Sequence, residues 1–442
     1  MKTASKTFKE IYVFFGSICL LLLAPTRFSF ADENFYTPTS RPDRIILNLT
    51  RDPSHSMAIT WRTDSTVENS VVQWIESTPG PKFQADVQTI KAKTEKFVNR
   101  YEGEPKFAAL YHSAILTGLK PSTRYLYRVG DGRNWSEWLQ FKTAGDQEEA
   151  FSFLYFGDAQ NDIRSHWSRL IREAFRTAPY AGFAFHAGDL INKSGSDREW
   201  GEWFESGSFI HAMIPSIMTP GNHEYDDQEQ LDPHWRPQFT LPENGVPGLE
   251  ETCFYVDYQN LRIISIDAEM LDEVEEFEKS QAAWLDSILT NNPQKWTALT
   301  LHFPFYSTKP NRDNPRLREV FRPIIEKHGV DIVLQGHDHA YGRGMQAIPS
   351  AVDTTQSSNT MYVVSVSGPK MYDISDDVWM TRRARDTQLF QVITINKDKL
   401  SFEAYTATGE LYDAFDLVKQ DDGSNKLVDR APATLDRQHD SK

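Results

Sequence analysis

Five short clusters combine carboxylate, amide and imidazole groups: Gly157-Asp158, Gly188-Asp189, Gly221-Asn222-His223-Glu224, Leu301-His302 and Gly336-His337-Asp338-His339. Oxygen donors together with neutral imidazoles suit iron, zinc or manganese, and the series is long enough for two ions. Two ions roughly 3.5–4 Å apart can turn a bound water into hydroxide and hold the group it attacks. The series contains no cysteine, which argues against a structural thiolate site.

Each cluster follows an apolar run: Phe151-Ser-Phe-Leu-Tyr-Phe156, Ala181-Gly-Phe-Ala-Phe185, Ile214-Pro-Ser-Ile-Met218, Trp296-Thr-Ala-Leu-Thr-Leu301 and Val330-Asp-Ile-Val-Leu334. Such runs read as buried strands. If they share one sheet, their carboxyl ends line a single edge, where ligands collect in α/β folds. Between them lie amphipathic segments such as Leu317, Val320, Phe321, Ile324 and Ile325, in which Pro323 should kink a helix or delay its start. Hairpins are expected at Gln259-Asn260 and Asn396-Lys397-Asp398, so the sheet should be mixed.

Upstream, residues 41–145 alternate apolar and polar positions over short spans, as in Met57-Ala-Ile-Thr-Trp61, Val71-Val-Gln-Trp74 and Tyr125-Leu-Tyr-Arg-Val129. That pattern predicts an antiparallel sandwich. The polar stretch Gly145-Asp-Gln-Glu-Glu149 marks the boundary. The fold class expected is thus an all-β sandwich followed by an α/β (α+β) domain of mixed sheets flanked by helices, residues 146–420. Residues 421–442 form a polar tail expected to be loosely ordered.

The amino terminus carries Lys2, Lys6 and Lys9, an apolar run from Ile11 to Ala24, and Ser29-Phe30-Ala31. It reads as a cleaved secretory signal peptide, residues 1–31, because the run is shorter than the roughly 20 residues a membrane helix needs. Removing it takes away Cys19 and leaves Cys253 alone, so the mature chain forms no internal disulfide and depends on its core. The formal charge falls from −15 to −18 on cleavage. An acidic body disfavours nonspecific nucleic-acid binding, though metal ions can reverse the field locally for an anionic substrate. No membrane span is expected in the mature chain, and the sequence leaves the oligomeric state open.

Gly188-Asp189, Gly221-Asn222-His223-Glu224, Leu299-Thr-Leu-His302 and Gly336-His337-Asp338-His339-Ala-Tyr341 resemble the core motifs of calcineurin-like metallophosphoesterases, closest to the purple acid phosphatase branch. His112-Ser-Ala-Ile-Leu-Thr-Gly-Leu-Lys-Pro121 and Thr123-Arg-Tyr-Leu-Tyr-Arg-Val-Gly-Asp131 resemble the fibronectin type III-like domain preceding the catalytic domain in the plant-type enzymes. The resemblance implies that Asp158, Asp189 and His339 hold a first metal. It implies that Asp189, Asn222, His302 and His337 hold a second. Asp189 is the bridge, since one carboxylate offers two oxygens. His223 is expected to face the substrate and stabilise phosphoryl oxygen or protonate the leaving alcohol, with Glu224 orienting it. His186 is expected in the core or behind the ligands.

The chain departs from the family twice. The purple enzymes have tyrosine three residues after the bridging aspartate, where this chain has Asn192; Gln160 stands where many other calcineurin-like enzymes place a histidine. Either amide can complete the first site, and Gln160 is preferred because it lies in the first motif. The plant-type enzymes also place histidine ten residues after the ligand corresponding to His302, whereas Arg312 stands here and can grip phosphate without donating a proton near neutral pH. Tyr306, Tyr341 and Arg343 are candidates for the cleft or the core.

These features predict an exported phosphatase hydrolysing small phosphomonoesters with two divalent or mixed-valence ions, periplasmic or secreted. The same motifs serve a phosphodiesterase acting on cyclic nucleotides, nucleic-acid fragments or phospholipid headgroups. A noncatalytic surface binding protein is the remaining class.

Overall fold

A computed structural model describes residues 36–345 and 358–437. The expected signal peptide and Cys19 lie outside the described residues. No helix among the described residues is long and apolar enough to cross a membrane.

The alternating residues of the amino-terminal part form two packed sheets. Ser56–Asp64 pairs antiparallel with Phe107–Thr117 along its whole length, from Ser56 opposite Thr117 to Asp64 opposite Ala109. The facing sheet runs Gln88–Lys91, Val71–Glu76, Arg124–Gly130, Leu139–Lys142. Inward residues Met57, Ile59, Trp61, Val72, Tyr127 and Phe141 fill the space between the sheets. Burying each large apolar side chain contributes about 1.5–3 kcal/mol, which is the force that selects this register.

Asp43–Asn48 belongs to both parts of the protein. It pairs antiparallel with Ser56–Asp64 and parallel with Ser216–Met218, through Asn48 opposite Ser216. An 11-stranded sheet therefore runs from the sandwich through Ser216–Met218, Ala184–His186 and Phe151–Phe156 to the carboxyl-terminal strands. Asn48 fastens this join: its Nδ2 donates to the Ser216 carbonyl at 3.1 Å and its Oδ1 accepts from the Thr240 N–H at 3.1 Å. Buried charge crosses the same seam, with Asp197 paired to Arg44 at 2.8 Å and to Arg62 at 3.2 Å. The chain changes character near residue 145, but the sheet does not break there.

The five apolar runs are divided between two sheets. Phe151–Phe156, Ala184–His186 and Ser216–Met218 lie in the large sheet, whereas Trp296–Thr300 and Ile332–Gln335 are parallel neighbours in a separate seven-stranded mixed sheet. The sheets pack face to face over Phe153, Phe185, Ile217, Trp296, Ile332 and Leu334. The Tyr155 hydroxyl donates to the Gln335 carbonyl between them. Strands covered on both faces read as continuous apolar runs whichever sheet they join, so the sequence cannot tell one sheet from two. All five runs end just before a chemical cluster.

The hairpins at Gln259-Asn260 and Lys397-Asp398 form as expected, with Tyr258 opposite Leu261 and Asn396 opposite Lys399. Helix Pro315–His328 begins with proline, where the missing N–H costs nothing, and stops at Gly329 with φ 64°. Pro323 lies inside it, so the start is not delayed. The tail also departs from expectation. Asn425–Asp429 adds an edge strand to Leu411–Lys419, and Asp429 accepts from the Arg343 guanidinium at 3.1 Å. Backbone pairing requires no apolar side chains, and five largely exposed residues carry little signal of it.

Candidate metal centre

The strand ends bring two ligand groups together. Asp158, Asp189 and His339 form one; Asp189, His302 and His337 form the other; within each, the candidate donor atoms all lie within 4.8 Å of one another. Asp189 belongs to both. Its Oδ2 is 3.2 Å from His302 Nε2, and Asp158 Oδ2 is 3.2 Å from His339 Nε2. Asn222 Oδ1 lies 2.9 Å from His337 Nδ1, so amide oxygen and imidazole nitrogen converge on the second group. Gln160 lies in the first group, its Nε2 2.6 Å from Asp189 Oδ2 and 3.3 Å from His339 Nε2. A half-turn of that amide presents Oε1 to the same point, where a cation then replaces the proton.

The imidazoles are held with their lone pairs inward. His302 donates Nδ1–H to the Ala187 carbonyl at 2.8 Å and His339 donates Nδ1–H to the Lys370 carbonyl at 2.9 Å, leaving each Nε2 facing the carboxylates. Metal-binding histidines are characteristically oriented in this way. Asp158 Oδ2, Gln160 Oε1 and His302 Nε2 are buried with no hydrogen-bond partner among the described residues. Buried polar atoms of this kind need a counterpart, and a pair of cations supplies it, so the residues fit the metals their types imply. The electrostatics agree. Burial opposes charge on His302, but the Asp189 and Asp158 carboxylates outweigh it and raise its pKa to about 10. Asp189, despite burial, is held below the usual carboxylate range by His302, His223 and His337.

The loops carrying these residues are under strain. Asp189 and His337 have φ of 51° and 67°, left-handed values that cost side-chain-bearing residues about 1–3 kcal/mol each. Two glycines make room for the carboxylates: a Cβ on Gly221 would sit 2.2 Å from Asp189 Oδ1, and one on Gly336 would sit 2.3 Å from Asp158 Oδ1.

Residues 42–143 match the family described as purple acid phosphatase, N-terminal domain, and residues 151–341 match calcineurin-like phosphoesterase. The chain belongs to the calcineurin-like metallophosphoesterases, in their purple acid phosphatase-like branch. Among its relatives is probable inactive purple acid phosphatase 1 of Arabidopsis thaliana, 25% identical over 377 residues that cover 73% of this chain and 60% of that one. Acid phosphatase type 7 of Danio rerio is 28% identical over 328 residues, 65% of this chain and 68% of that one. Fe(3+)-Zn(2+) purple acid phosphatase 12 of Arabidopsis thaliana is 24% identical over 300 residues, 62% and 61%. The purple acid phosphatase PPD1 from yellow lupin seeds has the same fold, with a TM-score of 0.70 at 19% identity over 88% of this chain and 76% of that one.

Beside the ligand groups of this metallophosphoesterase stands His223. Its Nδ1–H donates to the Asn192 carbonyl at 2.6 Å, and its Nε2 is 4.0 Å from Asp189 Oδ2, with the side chain 28% exposed. Glu224 does not orient it, contrary to expectation. The buried Glu224 carboxylate accepts four backbone N–H groups instead, those of Asp189, Leu190, Ile191 and Gly221, and so shapes the Asp189 loop. Asn192 accepts from the Asn161 side-chain amide at 2.7 Å and does not reach the carboxylates, whereas Gln160 lies in the first ligand group.

The sandwich reaches this loop. Glu104 accepts from Ser196 Oγ at 2.6 Å; Ser196 caps helix Asp197–Gly207; and Glu199 in that helix accepts the Asn192 N–H at 2.6 Å. Trp200, Trp203 and Phe204 fasten the helix in the core.

Arg312 is pinned. Its Nη1 donates to Asp338 Oδ1 at 2.5 Å, behind His337, and the side chain is 23% exposed. Asp338, given no role in the sequence reading, is the hub of this loop. Its Oδ2 accepts from Ser307 Oγ at 2.6 Å, from Thr308 N–H at 2.7 Å and from Lys309 N–H at 3.2 Å. Its place between His337 and His339 was the available signal. Tyr341 and Arg343 bond to buried Asp413, and Tyr306 is buried against Tyr362 and Trp379, so all three belong to the core. His186 is core as well, enclosed by Phe156, Trp167 and Trp203.

Proposed function

We propose that the chain is an exported phosphatase that hydrolyses small phosphomonoesters at a dinuclear centre. The observation carrying this reading is the Asp189 carboxylate common to both ligand groups. Asp158, Gln160, Asp189 and His339 hold one ion, and Asp189, Asn222, His302 and His337 hold the other. The donor set suits iron, zinc or manganese, and the loss of an anionic phenolate at Asn192 weakens the preference for ferric iron. When bound, the ions acidify a coordinated water and polarise the phosphoryl oxygens.

The chain's own groups do the rest. His223, anchored through Nδ1, presents Nε2 on the substrate side, where the protonated ring donates to the leaving alcohol. Arg312, held by Asp338, adds positive charge near His337 for the substrate phosphate. The acidic body selects against nucleic acid.

Metal analysis combined with an aryl phosphate and a bis-aryl phosphate tests the reading. Faster hydrolysis of the diester would make the chain a phosphodiesterase. Absence of turnover with iron, zinc and manganese alike would make it a binding protein. Export is tested by sequencing the amino terminus of the protein recovered outside the cytoplasm, which should begin at Asp32.

A further inference from the structure

A single peptide group joins a carboxylate to the His223 ring. The Asn192 carbonyl accepts His223 Nδ1–H at 2.6 Å, and the N–H of that same peptide, which belongs to Lys193, donates to Glu199 Oε2 at 3.0 Å. A trans peptide points its C=O and its N–H in opposite directions, so the two partners grip it from opposite edges. Glu199 Oε2 also accepts the Asn192 N–H at 2.6 Å, and the Asn192 side chain accepts from the Asn161 amide at 2.7 Å. Glu199 is held in turn. It is half-buried in the first turn of helix Asp197–Gly207, where its N–H donates to Ser196 Oγ at 3.3 Å. Glu104 of the sandwich accepts from Ser196 Oγ at 2.6 Å and from the Arg198 N–H at 3.2 Å, which fixes the start of that helix. The His223 N–H donates to Asp189 Oδ1 at 3.0 Å, so main chain and ring are both tied down and Nε2 is the ring atom left for the substrate side.

We propose that Glu199 is a positioning residue for the proton donor, setting the orientation and tautomer of His223 through the peptide between Asn192 and Lys193. The inference rests on the phosphatase reading, in which His223 Nε2 protonates the leaving alcohol, and adds the group that controls it. A carboxylate bonded to a peptide N–H makes the C=O of that peptide a better acceptor, because hydrogen bonds in series polarise one another. The Asn192 carbonyl therefore keeps the proton on Nδ1. In serine hydrolases a carboxylate holds the histidine tautomer by direct contact. Here one peptide group is interposed, and Glu199 touches neither ligand group. Without its carboxylate the peptide is free to turn, and the ring loses both its direction and its preference for the Nδ1–H form.

The test compares Glu199→Ala, His223→Ala and the double variant H223A/E199A of the metal-loaded protein on phenyl phosphate, whose leaving group departs poorly without a proton. Glu199→Ala should lower kcat by roughly 10- to 100-fold, with KM changed by less than about 3-fold and metal content unchanged. In the His223→Ala background the same substitution should cost less than about 3-fold, because the group through which it acts has gone. Glu199→Gln keeps an oxygen acceptor for both N–H groups and should restore most of the activity. A full further loss in the double variant, or metal lost from Glu199→Ala, would make Glu199 a support of the loop alone and overturn the proposal.

NMR of the His223 ring nitrogens in the zinc-loaded protein, at a pH where the ring is neutral, separates this inference from the phosphatase reading, because it requires no turnover. A single Nδ1–H tautomer in the wild type that gives way to a mixture in Glu199→Ala supports the coupling even if the wild type hydrolyses nothing. The same tautomer population in both proteins refutes it even if the wild type is an active phosphatase.

Discussion

Glu224 Oε2 accepts the backbone N–H of Asp189 at 2.8 Å, while Oε1 accepts those of Leu190 and Ile191 at 2.8 and 3.2 Å. One buried carboxylate thus sets the path of the loop that presents the other, and it holds Asp189 at its left-handed φ. Glu224→Ala leaves four buried N–H groups unpaired, Gly221 included. It should cost at least about 3 kcal/mol in stability by denaturant unfolding and lower bound metal in parallel. A folded variant with full metal content would show that the loop holds its shape unaided.

Asp189→Ala removes the carboxylate common to both ligand groups, so elemental analysis should find both ions lost and turnover abolished. His339→Ala removes a ligand from the first group alone and should leave about one ion per chain. His337→Ala should likewise abolish turnover with reduced metal. If Asp189→Ala retains two ions and near-normal activity, the bridging assignment is wrong.

His223→Ala should behave differently. Its ring is anchored on the Asn192 carbonyl, outside both ligand groups, so metal content should stay normal while kcat falls by roughly 10²- to 10⁴-fold. Metal loss in this variant would make His223 a ligand.

The ferric-loaded protein should be colourless or faintly yellow. Asn192 occupies the position of the family's phenolate, and the hydroxyls of Tyr225 and Tyr341 are engaged at 2.6 Å with Asp267 and Asp413. Asn192→Tyr should introduce a visible charge-transfer band. A strong band in the unmodified protein would point to Tyr372, whose ring lies against His339.

The seam between sandwich and catalytic part should respond to pH through His234. Burial opposes its charge, but the Asp197 carboxylate 3.5 Å from Nε2 and the Asp232 carboxylate bonded to Nδ1 outweigh this and raise its pKa. Its contribution to stability is therefore complete below the unfolded pKa of about 6.5 and disappears as pH rises through the raised folded value. His234→Gln should flatten that part of the stability–pH curve. Asp197→Ala takes the carboxylate from buried Arg44, while Arg62 keeps Asp43 at 2.9 Å, and should cost about 3–5 kcal/mol. A stability curve of His234→Gln that parallels the wild type would exclude the mechanism.

Local chemistry made much of this legible in advance. Asp158, Asp189, Asn222, His302, His337 and His339 stand immediately after apolar runs, and a buried strand must deliver its following residues to the sheet edge. Alternation over residues 41–145 called for two packed antiparallel sheets, and the hairpins at Gln259 and Lys397 followed from turn chemistry. What the tertiary structure alone decided are relationships between distant segments. Whether five strands make one sheet or two depends on hydrogen-bond partners, and buried parallel strands carry no mark of theirs. The choice of Gln160 over Asn192 turned on Asn161 claiming the Asn192 side chain. The role of Glu224 turned on which N–H groups the Asp189 loop aims at it, and that of Asp338 on a loop some thirty residues upstream. Short sequence patterns report which faces are buried; the partner of a buried polar group is chosen only when chain segments far apart in sequence meet.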